Sequence, residues 1–211
     1  MVDLGSNGHL ITQFVPFDLV VWLAEHADES ARVDVSPPLC STLREAMSLI
    51  GSNGCDATMR QTVTTSGSIS SQRFDQLELR FHFPSGAKVA QDQFSYGQQR
   101  IVAYYYYPAA SPSIVVADEL VNGMHHDWIA ACVGSLEGRQ AFLSSQNPLL
   151  LDQLPFENPD QISRSLVICT ANERGDFVWR NPNEAEAKRI AAALAVGIQQ
   201  VSEVLEAQGL W

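Results

Sequence analysis

The chain has 211 residues, of which 45% are apolar and 18% charged, and its formal net charge is −11. This is a globular composition with enough apolar residues for a sizeable core, and the surplus of acids argues against a broad nucleic-acid-binding face. The longest apolar runs, residues 15–24 and 191–198, are too short to span a membrane, so the sequence predicts a soluble protein.

The four cysteines, Cys40, Cys55, Cys132 and Cys169, are widely scattered and form no Cys-x-x-Cys pair. The sequence also begins without a recognisable secretory leader. These features predict reduced thiols, a cytoplasmic location and no zinc site.

The first fifty residues predict two helices. Residues 1–13 contain closely spaced glycines and predict a flexible segment, and Phe17–His26 follows as an amphipathic helix. A polar linker at 27–32 leads to a helix over 36–50, which opens with Ser-Pro and ends at Gly51.

Residues 51–58, GSNGCDAT, superficially match the phosphate loop G-x-x-x-x-G-K-T. Asp56 and Ala57 occupy its Gly-Lys positions, and an aspartate there would repel the phosphates that the lysine normally contacts. A phosphate loop should also follow a strand, whereas a helix is predicted here, so we interpret the match as coincidence.

The segment before the central motif predicts a loop and then a hairpin. Residues 62–71 are rich in serine and threonine and predict a mobile loop. From Leu77 to Phe83 apolar and polar residues alternate, which predicts a half-buried strand that turns at 84–86 into a second strand. His82 lies on its polar face and is interpreted as a solvated side chain.

The stretch 94–119 carries the most chemistry. Ser95 is placed to cap a helix, and Gly97 would let a ligand approach the backbone. The free N–H groups and the dipole of such a helix start favour an anion. The tyrosines at 104–107 are interpreted as a core-packing face rather than a base-stacking one.

Residues 114–117 then predict a buried parallel strand that delivers Asp118 and Glu119 at its C-terminal end. Ligands gather at that edge of an α/β sheet.

The remaining residues predict further mixed α/β structure. We expect helices over 128–136 and from 148, a strand over 141–144, and a hairpin around 173–176. A capping box at 181–184 should open a long helix that ends at Gly209.

The stretch 94–119 resembles the ABC-type ATPases of the SMC/RecF-like (AAA_21-type) branch. The resemblance rests on a signature turn, one helix and a Walker B strand in this order, and Asp118 lies 23 positions after Ser95. Residues 120–125 resemble the D-loop P-E-N-G-L-H, departing at its first, second and fifth positions. Residues 142–152 resemble the switch stretch T-H-S-P-x-L-L-D, with Gln146 in place of the histidine.

The resemblance implies the C-terminal lobe of an α/β ATPase head, a mixed sheet flanked by helices. We expect a helical and hairpin segment over 1–93 and the ATPase lobe over 94–211, together forming one structural unit. The lobe that carries the phosphate loop (Walker A) would be supplied by a separate chain or by a segment missing from this one.

The same resemblance implies roles for individual residues. Asp118 would hold the water shell of Mg²⁺, and Glu119 would polarise the attacking water, with Gln146 as the second catalytic position. ATP would be bound in a homodimer or heterodimer of heads, and DNA would be contacted only indirectly. The residues implied in ATP binding are Ser95, Tyr96, Gly97, Gln98, Asn122 and Gly123.

Three classes of function stay open. The first is an ATP-hydrolysing head in DNA repair, chromosome maintenance or antiphage defence, and an upstream phosphate loop would identify it. The second is a nucleotide-gated scaffold without useful turnover, which the glutamine at position 146 suggests. The third is an interaction domain with vestigial motifs, which would be indifferent to Asp118→Asn.

Overall fold

The computed structural model describes most of the chain and divides it into two compact units. The first unit holds residues 1–117 and 122–143, and the second holds residues 118–121 and 144–211. The boundary expected between residues 93 and 94 remains a prediction. The described residues are 2–4, 10–12, 15–26, 31–111, 113–146, 149–154, 156–172, 174–196, 201–207 and 209–210.

The first unit contains the elements up to the eighth strand. They are β1 (Val2–Leu4), β2 (Leu10–Thr12), α1 (Phe17–His26), β3 (Arg32–Asp34), α2 (Ser36–Thr42), α3 (Arg44–Leu49), β4 (Gly54–Ser66), β5 (Ile69–His82), β6 (Lys88–Ala90), a short 3-10 helix (Gln91–Gln93), α4 (Tyr96–Ala110), β7 (Ile114–Asp118), α5 (His126–Gly134) and β8 (Gln140–Ser144). The last residues of β7 and β8 belong to the second unit.

Six antiparallel strands form the main sheet of this unit, in the order β2-β1-β5-β4-β3 with β6 also paired to β5. The alternation predicted in β5 is confirmed, since Leu79 and Phe81 are buried while Glu78 and Arg80 are exposed. Helices supply the other half of the core. Its largest fully buried side chains are Phe74, Phe81, Leu19, Leu23, Leu39, Leu43, Ile101 and Ile129.

Three local predictions need correction. Residues 62–71 are not a loop, because β4 and β5 stay paired up to Ser66 and Ile69. The helix over 36–50 is broken at Leu43, which separates α2 from α3. The segment 1–13, predicted to be flexible, contains the paired strands β1 and β2, and the linker predicted over 27–32 runs into β3 at its last residue. Residues 5–9 and 27–30 of these two segments lie outside the described residues.

The coincidental phosphate-loop match is resolved by its structure. Gly51 (φ +75°) follows α3, and residues from Gly54 onward lie in β4. No helix follows these residues, so the stretch lacks the loop-to-helix geometry that binds phosphate. His82, expected to be solvated, has its Nε2 2.8 Å from a carboxylate oxygen of Asp56.

Cys40 and Cys55 are disulfide-bonded, with their Cα atoms 6.0 Å apart. This corrects the prediction that all four thiols are reduced. The sequence spacing did not reveal the pair because the packing of α2 against β4 brings the two residues together. Cys132 is free and buried, and Cys169 is free and exposed.

The second unit is a helical cluster with one hairpin. Its elements are α6 (Leu149–Asp152), α7 (Pro159–Ser165), β9 (Ile168–Ala171), β10 (Phe177–Arg180), α8 (Glu184–Val196) and α9 (Val201–Ala207). The predicted hairpin is confirmed as antiparallel β9 and β10. One core is shared by α7, β9, α8 and α9. Its buried members are Ile162, Ile168, Ala187, Ile190, Val204, Leu205 and Leu210.

The start of α8 differs from the prediction. Asn183, rather than Asn181, makes the capping box: its side chain accepts from Glu186 N–H (2.9 Å), and its own N–H donates to the Glu186 carboxylate (2.8 Å). Arg180 donates two further hydrogen bonds to that carboxylate, at 2.7 and 2.9 Å. Glu186 is therefore a buried junction between β10 and α8.

We expect Glu186→Gln to lower the free energy of unfolding of the second unit by about 1–2 kcal/mol, because it removes a charged acceptor from Arg180. The Arg180 guanidinium, followed by the Asn183 N–H, lowers the pKa of Glu186 below its ordinary 4.5. A depressed pKa means that this stabilisation is complete above pH 4.5 and is lost as the pH falls through the lower folded value.

Urea unfolding at pH 7 and at pH 4 measures both effects. Glu184→Gln is the matched control, since its pair with Lys188 is exposed and should contribute about 0.5 kcal/mol or less. Equal losses in the two variants would contradict the structural role of Glu186.

Among the described helices, none combines the length and the apolar character needed to cross a bilayer.

Candidate functional site

The signature turn begins α4 with a complete capping box, as the sequence predicts for Ser95. Ser95 Oγ accepts from Gln98 N–H at 3.4 Å, and the Gln98 side chain accepts from Ser95 N–H at 3.0 Å. The reciprocal bonds fix the first turn of a 15-residue helix. Amides in that turn lack intrahelical acceptors, so the helix start suits an anion.

Tyr96 stands at the entrance of this helix and is 62% exposed. Arg100, one turn later, donates from Nη1 to the Tyr96 hydroxyl at 2.8 Å. Its guanidinium carbon also lies 5.4 Å from the centre of the Tyr96 ring. Arg100 thus stabilises the first turns of the signature helix, because its guanidinium interacts with both the hydroxyl and the ring of Tyr96.

Two glycines join the signature turn to the D-loop-like turn. A Cβ on Gly97 would lie 2.4 Å from the carbonyl oxygen of Gly123 and 3.3 Å from the Trp128 ring. A Cβ on Gly123, whose φ is +73°, would lie 2.8 Å from the Tyr96 ring. Gly97 is therefore required by the close approach of the Gly123 backbone, and Gly123 by its left-handed φ together with the Tyr96 ring. Packing fills the space beside Gly97 where a side chain would lie, and the approach of a ligand to its backbone remains a prediction. Asn122 is exposed beside this contact.

The body of α4 is held against α5. Tyr104 donates its hydroxyl to the Cys132 carbonyl at 2.7 Å, and burial raises the pKa of Tyr104 to about 12. Tyr105 is also buried, with its ring edge-on to Tyr104 at 5.5 Å. The interpretation of these tyrosines as core-packing residues is confirmed for this pair, which fixes the helix that carries the signature turn.

As predicted, the two acids lie at the C-terminal end of β7: Asp118 is its last residue, and Glu119 follows it. The strand was predicted to be buried, but one of its faces is exposed. Gln140 N–H donates to Ser113 at one end of the β7–β8 pair, and Glu119 N–H donates to Ser144 at the other (3.0 Å), so the strands run parallel. Asp118 is exposed at the strand end. Glu119 has a φ of +51°, a left-handed conformation that is uncommon outside glycine and collects at functional sites.

Ser144 contacts both acids and was not singled out from the sequence. Its hydroxyl donates to Asp118 Oδ1, and its carbonyl accepts from the Glu119 amide. The sequence signal that could have pointed to Ser144 is that a polar residue ends the next strand predicted after β7. Two positions further on, Gln146 is exposed.

A second group of metal-ligand types lies at the start of α5. His125 Nδ1 accepts from Asp127 N–H at 3.4 Å, and both His125 and His126 approach the Asp127 carboxylate. All three side chains are exposed. The hydrogen bond to the amide makes His125 the N-cap of α5.

Two of the solved structures that resemble this chain are each 11% identical to it. One is a chain from work on ATP-driven dimerization and DNA stimulated activation of SMC ATPases, with a TM-score of 0.44 over 77% of this chain and 95% of that chain. The other is the Smc head domain with a coiled coil and joint from Pyrococcus yayanosii, with a TM-score of 0.45 over 74% of this chain and 29% of that chain. A comparison with curated proteins finds no match.

A family match covers residues 25–152, more than half of the chain. The family is AAA_21, described as AAA domain, putative AbiEii toxin, Type IV TA system. The matched range includes the signature turn, both acids and the D-loop-like turn described above. The resemblance inferred from those motifs is thereby confirmed at the level of the family, and the chain belongs to the AAA_21 family of AAA domains.

Proposed function

We propose that the chain is the C-terminal half of an ATP-hydrolysing ABC-type head that dimerises around nucleotide. The observation that carries this proposal is the contact between Gly97 and Gly123. Through this contact the signature turn packs directly against the D-loop-like turn, although the two are separated in sequence. The settings we propose are DNA repair, chromosome maintenance or antiphage defence.

Asp118 fits a role toward Mg²⁺. Its carboxylate is exposed at the end of a parallel strand, and Ser144 engages one of its oxygens. A carboxylate at this place can accept from water bound to a hard cation, and oxygen ligands are those that Mg²⁺ prefers. When bound, Mg²⁺ would neutralise the charge on the transferring phosphoryl group.

Glu119 is assigned as the base that orients the attacking water. A carboxylate one residue beyond the strand is suited to accept a proton from water, and its left-handed backbone directs it differently from Asp118. The strained conformation supports this assignment, since backbone strain of this kind persists where function requires it.

The capped start of α4 is assigned to the γ-phosphate of ATP held by the opposing head. Ser95 and the amides of Tyr96 and Gly97 would donate to its oxygens, and the helix dipole favours the negative charge. Gln98 supports the turn through the capping box. Asn122 and Gly123 contribute as the neighbouring turn, so hydrolysis requires two heads.

The sheet formed by β7 and β8 supports a partner half. Parallel sheets are normally covered on both faces, yet Ile114, Val116 and Phe142 are 46%, 59% and 56% exposed. A phosphate-loop half that adds parallel strands would cover these side chains. We therefore propose a separate chain or segment as the partner.

The second candidate is a nucleotide-gated scaffold without useful turnover, and Gln146 favours it. Glutamine can donate a hydrogen bond to a phosphate oxygen but cannot become cationic as histidine can. This candidate predicts dimerisation on ATP without release of phosphate.

The proposal predicts that the isolated chain binds ATP more weakly than micromolar, because the phosphate-loop half supplies most of the nucleotide contacts. Isothermal titration with Mg-ATP measures this affinity. The titration is then repeated on the protein obtained by co-expression with the coding sequence upstream of Met1. Phosphate release is measured on the same sample. Micromolar binding by the isolated monomer would refute the half-head arrangement.

A further inference from the structure

Ser144 ends β8, and it contacts both Asp118, which ends β7, and Glu119, which follows it, through different groups. We infer that Ser144 is a positioning residue that sets Asp118 and Glu119 and links both to the switch segment. This inference rests on the proposed ATPase function. It assigns a role to a residue near the start of the stretch 142–152, which resembles the switch motif.

The hydroxyl of Ser144 acts on the side chain of Asp118. A carboxylate on an exposed strand end can rotate among several staggered positions, and a hydrogen bond to one oxygen selects one of them. Because Oδ1 accepts from Ser144, the same rotamer presents Oδ2 in a fixed direction. Outer-shell hydrogen bonds of this kind orient metal-binding carboxylates.

The carbonyl of Ser144 acts on the backbone of Glu119. It accepts from the Glu119 N–H at 3.0 Å, one residue beyond the last residue of β7. The bond continues the parallel ladder by one step and anchors the residue whose φ is +51°. The direction of the Glu119 side chain is thus tied to the end of β8.

The position of Ser144 in the chain gives these contacts a second consequence. Ser145 and Gln146 follow directly, and Gln146 is the residue that would meet the γ-phosphate. A displacement of Ser145 and Gln146 would therefore move Ser144, and through it both acids. Ser144 therefore couples occupation of the switch to the geometry of the catalytic carboxylates.

The test uses the chain assembled with its phosphate-loop half and measures ATP hydrolysis against Mg²⁺ concentration. We expect Ser144→Ala to raise the half-saturating Mg²⁺ concentration about tenfold, as outer-shell changes commonly do. ATP binding in EDTA should stay unchanged. Ser144→Thr keeps the hydroxyl and should restore the wild-type Mg²⁺ dependence.

Ser165→Ala is the matched control, because Ser165 is exposed at the end of α7 in the same unit. If Ser144→Ala and Ser165→Ala show the same Mg²⁺ dependence, the inference is overturned. A loss in Ser144→Thr equal to that in Ser144→Ala would overturn it as well, since the hydroxyl would not be responsible.

Failure of the proposed function is recognised separately, as an assembled wild-type protein that does not hydrolyse ATP. In that event the positioning role of Ser144 is tested by the side-chain rotamer of Asp118, which NMR scalar couplings of its methylene protons measure. One rotamer in the wild type and averaging in Ser144→Ala would support the positioning role. Identical couplings in both would end it.

Discussion

Glu119→Gln should lower the kcat of the assembled ATPase by about 10²–10⁴ and trap an ATP-bound dimer. The amide keeps the shape and hydrogen bonding of the side chain but loses the oxygen that accepts a proton from water. Ground-state binding should change little, because the interaction matters mainly in the transition state. Single-turnover hydrolysis and size-exclusion chromatography with ATP measure the two effects.

Two other variants should behave differently and serve as controls. Asp118→Ala should weaken Mg-nucleotide binding, since it removes the carboxylate assigned to the cation. Ser95→Arg should block dimerisation while leaving nucleotide binding in each head intact, because its bulk occupies the place of the opposing γ-phosphate. Hydrolysis by Glu119→Gln at the parental rate would show that Glu119 is not the catalytic carboxylate.

Gly97→Ala should destabilise the first unit by about 1–3 kcal/mol and separate the signature turn from the D-loop-like turn. The added methyl would lie 2.4 Å from the Gly123 carbonyl oxygen, a backbone atom that cannot rotate away. Relief requires that α4 or the turn at Gly123 shifts. Urea unfolding and hydrogen exchange of the Gly123 amide region measure the loss of stability and of contact.

Gly134→Ala is the matched control in a helix, since its Cβ would meet nothing within 4 Å. It should be neutral or stabilising by up to about 1 kcal/mol. Gly123→Ala and Gly138→Ala form a second pair, because the two glycines have nearly the same φ, +73° and +74°. Only the methyl group added at position 123 would also meet the Tyr96 ring. Equal losses at these two positions would show that the ring contact contributes nothing.

Local chemistry in the sequence determined several elements of this protein. The cap at Ser95, the alternating strand around Leu79 and the hairpin turn near Gly175 each depend on neighbours within a few residues, and the structure has all three. The strand before Asp118 and Glu119 was predicted for the same reason. Their order along the chain also indicated the family, although the roles of the individual residues remain proposals.

Only the tertiary structure decided which distant residues meet. It pairs Cys40 with Cys55, places the Gly97 backbone against Gly123, and sets Ser144 beside both acids. It also showed that the stretch 62–71 belongs to two paired strands, in which the β-branched residues at 62–65 suit a strand once a partner is present. Periodicity and capping report local backbone geometry, whereas these contacts arise when helices and strands pack, and their partners are not adjacent in sequence.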